Sequence, residues 1–171
     1  MKESVGGISL TMIVIVLILL FAGIMSLTIS RSNAIAVKDR IMRIIEEYDG
    51  FNMKAEAKYE TECKGDDALC DILETINTYS YRQTGICPEG DNVVGYQRDG
   101  SMVNSNSAAA FCIIRTKAGK NQAGYLAGDK PVYIDSDKYY YKVIMFYGID
   151  IPVIKAILNF KATGETKMLN D

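Results

Sequence analysis

Hydrophobic and polar positions along the chain fall into three regimes. In the first, residues 4–30 contain no charged side chain and are dense in Ile, Leu, Val, Met and Phe, most tightly from Met12 to Phe21. A helix needs about 20 apolar residues to cross the hydrocarbon core of a bilayer, and this run is longer. A helix apolar on every side would otherwise have to be surrounded by protein, which so short a chain cannot supply. The competing pattern is a cleaved signal peptide, with a basic leader, a short apolar core and a small-residue cleavage site. Small residues occur at 22–26, but Lys2 is the only basic side chain ahead of a long run. The membrane span is therefore placed at about residues 8–29.

In the second regime, Val37, Ile41, Ile44 and Tyr48 recur at spacings of four, three and four, with charged residues between them. That is one face of an amphipathic helix. Arg43 has Glu46 and Glu47 within helical reach, and no Pro or Gly interrupts the chain from Arg31 until Gly50. One helix over residues 5–48 is predicted, roughly 65 Å long at about 1.5 Å per residue. Its first half suits lipid. Its second half is a stem whose apolar stripe needs the following domain as a partner. Ala22, Ser26, Ser30 and Ala34 also recur every four residues. Small residues at this spacing allow another membrane helix to approach closely, so they form a candidate helix-packing face.

The third regime, residues 49–171, reads as α+β. Residues 66–78 read as a short helix capped by Asp66 or Asp67, with Leu69, Ile72, Leu73 and Ile76 on one face. Residues 92–97 and 108–116 read as strands around a turn at Asp99 and Gly100. Residues 104–107 and 119–128 read as loops. The run 138–147, rich in Tyr, Val, Ile and Phe, is the clearest strand. A break containing Pro152 follows, since Pro does not sit in a central strand, and 157–168 alternates again. These two runs are expected to pair antiparallel. The apolar connection at 149–154 is placed at the membrane surface or on the stem.

All four cysteines lie in this outer part, which suggests disulfides and an oxidising compartment. Four cysteines allow three pairings. Cys63–Cys70 with Cys87–Cys112 is favoured, since each closes a modest loop. Zinc fits poorly, because the spacings lack the paired short C-x-x-C pattern, and free buried thiols remain the alternative for a cytoplasmic domain.

Composition narrows the function. With 19 Lys+Arg against 21 Asp+Glu, no broad basic face for nucleic acid is expected. Histidine is absent, so no Ser-His or Cys-His nucleophile pair can form. Asp135 and Asp137 flank one serine in a predicted turn, and Asp66, Asp67 and Asp71 suit the start of a helix. Neither a calcium loop nor a phosphate-binding glycine loop is present. The tyrosines at 139–141 read as strand and core, since no basic groove accompanies them. No enzyme activity, cofactor, metal or small-molecule substrate is expected.

Two stretches carry a family resemblance. The first is Lys2-Glu3-Ser4-Val5-Gly6-Gly7, leading into the apolar run and then Arg31-Ser32-Asn33-Ala34. The second is the C-terminal strand pair around Pro152. With the anchor–stem–head layout, the chain resembles type IV pilins and pseudopilins, and more closely the TadE-like minor pilins of tight-adherence pilus systems. Such chains often carry a Glu just ahead of the apolar run, where Glu3 stands. The resemblance covers the first fifty residues and the last thirty. It implies a pilin-like fold, a structural or assembly role, and partners that are the bilayer and other pilin-like or assembly proteins, met through the helix. The positive-inside rule, with Lys2 before the span and Arg31, Lys38, Arg40 and Arg43 after it, points to a cytoplasmic head. The cysteines and the family layout point outward, and an extracytoplasmic head at 49–171 on an anchor and stem at 1–48 is the expectation adopted. The alternative is a membrane-tethered extracellular binding or adhesion module unrelated to pili.

Overall fold

The computed structural model describes residues 2–60, 62–103, 107–117, 121–126, 130–134, 138–148 and 159–170. The helix α1 runs unbroken over Lys2–Glu47. The head then carries β1 (Ala57–Tyr59), β2 (Cys63–Gly65), α2 (Asp67–Thr78), β3 (Gly85–Ile86), β4 (Val93–Tyr96), β5 (Met102–Val103), β6 (Ala108–Ala109) and β7 (Phe111–Lys117). It continues with β8 (Asn121–Leu126), β9 (Lys130–Ile134), β10 (Lys138–Gly148), β11 (Asn159–Glu165) and β12 (Leu169–Asn170). This is an α+β arrangement of antiparallel sheets with one long apolar helix.

The main sheet has the order β11-β10-β7-β4-β5, with β12 pairing β10 beyond the end of β11. Strand periodicity of two sorts its side chains. Tyr141, Val143 and Met145 of β10, with Phe111 and Ile113 of β7, face the helices and join the core formed with α1 and α2. Ile144 and Phe146 of β10 and Cys112 of β7 face the other way, into a smaller core with Cys87 and Ala109 under β3 and β6. Tyr96 lies between Phe51, edge-on at 6.0 Å, and Phe111, stacked at 5.4 Å. Its buried hydroxyl donates to the carbonyl of Ala55 at 3.0 Å.

The helix α2 starts where its cap allows. Asp66 stands at the N-cap, and its Oδ1 accepts from the Leu69 N–H at 3.0 Å. Ala68, Leu69, Ile72, Leu73 and Ile76 are buried on one face.

Several strands depart from the sequence expectation. Residues 108–116 are split at Ala110: β6 pairs β3 on the back of the molecule, whereas β7 enters the main sheet between β4 and β10. The turn at Gly100, with φ +87 suiting a residue without Cβ, joins β4 to the short β5, and β7 pairs β4 on its other side. Asn121–Leu126 is a strand rather than loop, because it pairs β9 in a hairpin with an irregularity at Gln122/Gly124. Pro131 is tolerated there, since a two-stranded sheet leaves each strand an open edge. The predicted strand 157–168 is interrupted over residues 166–168, between β11 and β12, and its first two residues lie outside the described ones. The 149–154 connection with Pro152, the pair Asp135 and Asp137, and residues 104–106 lie outside the described residues.

Two hydroxyls complete β10 where its neighbours stop. β7 ends opposite Met145. One residue on, the Tyr81 hydroxyl accepts from the Phe146 N–H at 2.8 Å and donates to the Phe146 carbonyl. On the other side Thr166 takes the place of a rung: its N–H donates to the Tyr141 carbonyl at 2.9 Å and its Oγ1 accepts from the Tyr141 N–H at 3.0 Å. Two of the core phenols, Tyr81 and Tyr96, resist ionisation, since burial pushes their hydroxyls well above their ordinary value. A raised folded pKa contributes stability that is complete below the unfolded tyrosine pKa of about 10 and lost as pH rises beyond it. The head is therefore expected to unfold in alkali from about pH 10 upward, and Tyr81→Phe to flatten that loss while lowering neutral-pH stability by about 1–3 kcal/mol for the unpaired Phe146 groups. Denaturant titrations at pH 7 and pH 11 read both effects.

Candidate functional site: the helix and its junction with the head

The helix α1 meets two environments in succession. Large apolar side chains from Leu10 to Ile29 are exposed, and α1 is long and apolar enough to cross a membrane by length and composition. From Ala34 onward the same helix is core. Ala34, Val37, Ile41, Ile44 and Ile45 are buried with the residues of α2 and the inner sheet face. Each such aliphatic side chain larger than Ala contributes about 1.5–3 kcal/mol by leaving water.

Three of the four predicted stem residues, Val37, Ile41 and Ile44, therefore pack on the head. Tyr48 does not. It is 45% exposed, because the helix unwinds there: Asp49 takes a left-handed φ of 52° and the Gly50 N–H returns to the Ile45 carbonyl. The Tyr48 hydroxyl instead donates to Asp71 Oδ2 on α2 at 2.9 Å, and this bond to a carboxylate raises its pKa. Ile45, not Tyr48, completes the buried stripe. It stands four residues after Ile41 and beside Ile44, so it widens the apolar face that the spacing from Val37 begins.

Polar contacts tie the stem to the edge of the sheet. Lys38 Nζ donates to the Thr163 carbonyl of β11 at 3.4 Å. Glu46 Oε1 accepts from the Lys167 N–H at 2.8 Å, with Lys167 Nζ 3.8 Å from Glu46 Oε2. At Gly164 a Cβ would stand 2.6 Å from Met42 Sδ, so the Met42 side chain packs where a larger residue would displace it.

The small-residue stripe is divided by this junction. Ala34 is fully buried by the chain's own head. Ala22, Ser26 and Ser30 instead form one wall of an open groove of about 510 Å³, whose other wall is the segment 79–83 that follows α2. That segment is held firmly. The N–H groups of Tyr79, Ser80 and Tyr81 donate to the carbonyls of Thr75, Asn77 and Ile76, and the buried Tyr81 ring fixes its far side. Nothing in the sequence pattern singles out this loop.

The cysteines form two disulfides, Cys63–Cys70 and Cys87–Cys112. The first joins the hairpin of β1 and β2 to the first turn of α2. The second pins the chain after β3 to the back of β7. No group of acidic or thiol side chains suited to a metal occurs among the described residues. Asp66 is used as a cap and Asp71 holds Tyr48. Tyr139 carries the Arg115 guanidinium over its ring at 4.0 Å, and Tyr141 is core. No protein-family model matches the chain, nor does any curated protein or solved structure.

Two outcomes are expected. Ile41→Ala should destabilise the head by about 2–5 kcal/mol, as for a large-to-small change in a packed core, measured by chemical unfolding of the full chain in detergent. Replacing the Cys87/Cys112 pair by Ala should cost more than replacing Cys63/Cys70. The sequence separations are 25 and 7 residues, and loop length alone makes the difference about 1 kcal/mol.

Proposed function

We propose that this chain is a structural or assembly subunit of a Tad-type pilus, a TadE-like minor pilin held by its N-terminal helix with the head outside the cytoplasm. The observation that carries the reading is the single helix shared between two environments: an exposed apolar length followed, without a break, by a stripe built into the head. Such a helix transmits the position of the membrane, or of a neighbouring helix, directly to the head. The role is mechanical. The stem is rigid because α2 and the sheet clamp it, and the exposed length of α1 is left for lipid and for other pilin-like helices. Two disulfides with no free thiol support an oxidising compartment for the head. They weigh against the charge bias of the flanks, since the rule counting Lys and Arg only biases orientation.

The test has two readouts in cells carrying the full chain. An impermeant protease added to spheroplasts should digest the head while leaving a protected fragment that contains residues 10–29. Phe at Ala22 and Ser30 together should lower co-purification with pilin-like membrane partners several-fold. A head protected from the protease contradicts the orientation, and unchanged co-purification rejects helix-mediated assembly. Specific capture of a soluble ligand by the head, with no helix-dependent partner, would instead favour a tethered binding module.

A further inference from the structure

The groove beside the span has a composition that changes along its length. Its helical wall descends from Asn33 and Ser30 to Ile29, Met25 and Ala22, a rise of about 17 Å at 1.5 Å per residue. Polar groups therefore stand at the end nearer the head, and apolar groups at the end that continues into the exposed apolar length of α1. The opposite wall contributes Ser80, Arg82 and Gln83. Arg82 is exposed, and it is the one charged residue among the described lining, which holds no carboxylate. Ala22 and Ser26 keep the helical wall shallow, so the space is open rather than filled by the chain's own side chains. Tyr79, 47% exposed in the lining, is the residue type that settles at the headgroup level of a bilayer.

We infer that, in the free subunit, this groove holds one membrane phospholipid. The phosphate lies against Arg82 and the hydroxyl and amide groups of Ser80, Asn33 and Gln83, and an acyl chain follows Ile29, Met25 and Ala22. A cation at one end and apolar side chains at the other match a phosphate joined to a hydrocarbon chain. A soluble anion would use only the first, and a second apolar helix only the other. The seated lipid fixes the height and rotation of the head over the bilayer. The inference rests on the membrane placement of α1 and is independent of filament assembly.

The test uses the full chain in phosphatidylcholine nanodiscs carrying a small fraction of photoactivatable phosphatidylglycerol. After irradiation, adducts should concentrate on residues 79–83 and 22–30 and be displaced by unlabelled phosphatidylglycerol. Arg82→Glu removes one positive charge and adds one negative, and should cut that labelling by more than the roughly fivefold scale of a single charge at a lipid surface. Ser26→Leu, which fills the helical wall, should reduce it as well, whereas Lys58→Glu, at an exposed site away from the groove, should leave it unchanged. Mapping of both disulfides shows that each variant is folded. Labelling spread evenly around residues 10–29, or equal labelling in the folded Arg82→Glu and Ser26→Leu variants, would overturn the lipid site. So would crosslinked dimers through these segments, which would give the groove to a second copy. A chain that does not enter the nanodisc at all would overturn the membrane reading with it.

Discussion

Everything in this molecule follows from asking one helix to satisfy two solvents. The helix α1 presents apolar side chains all round from Leu10 to Ile29 and a single apolar stripe from Ala34 to Ile45. The first part is stable only where hydrocarbon surrounds it. The second is stable only where a protein surface covers one side and water the other. No loop separates the two, so the change from apolar surface to buried stripe falls within about one helical turn near Ser30 and Arg31.

The head is organised to meet that stripe. Alternation along β10 and β7 sends Val143, Met145, Phe111 and Ile113 to the stem, and α2 adds Leu69, Ile72 and Ile76 to the same core. The opposite face of the sheet is smaller. There the Cys87–Cys112 bond replaces the area that a second helical layer would supply. The strand that receives the stem is then finished by side chains, with Tyr81 on one flank and Thr166 on the other, so that β10 keeps its backbone bonded past the end of its neighbours.

The sequence was most legible where one period ran long. The membrane run, the stem from Val37 to Ile44, α2 with its Asp66 cap and the β10–β11 pair are all visible as periodicity. Two-residue strands such as β3, β5 and β6 are not, because two residues cannot display a period, and their pairing is decided by distant chain. The strand β8 reads as loop because the glycines in and around it, Gly119, Gly124 and Gly128, suppress the strand signal. Tyr48 has the right spacing but falls on the turn where α1 unwinds, an event set by Asp49 and Gly50. The division of the small-residue stripe was also hidden. Only the fold shows that the head buries Ala34 and that the 79–83 loop faces Ala22, Ser26 and Ser30.

The central claim is that membrane anchor and head share one unbroken helix. The direct measurement is the distance between spin labels at the exposed positions Leu20 and Glu47 in the full chain reconstituted into bilayers. A continuous helix gives a single narrow distribution centred near 40 Å, from about 1.5 Å of rise per residue. A broad distribution, or one centred well below that value, would mean a break between span and stem and would contradict the account.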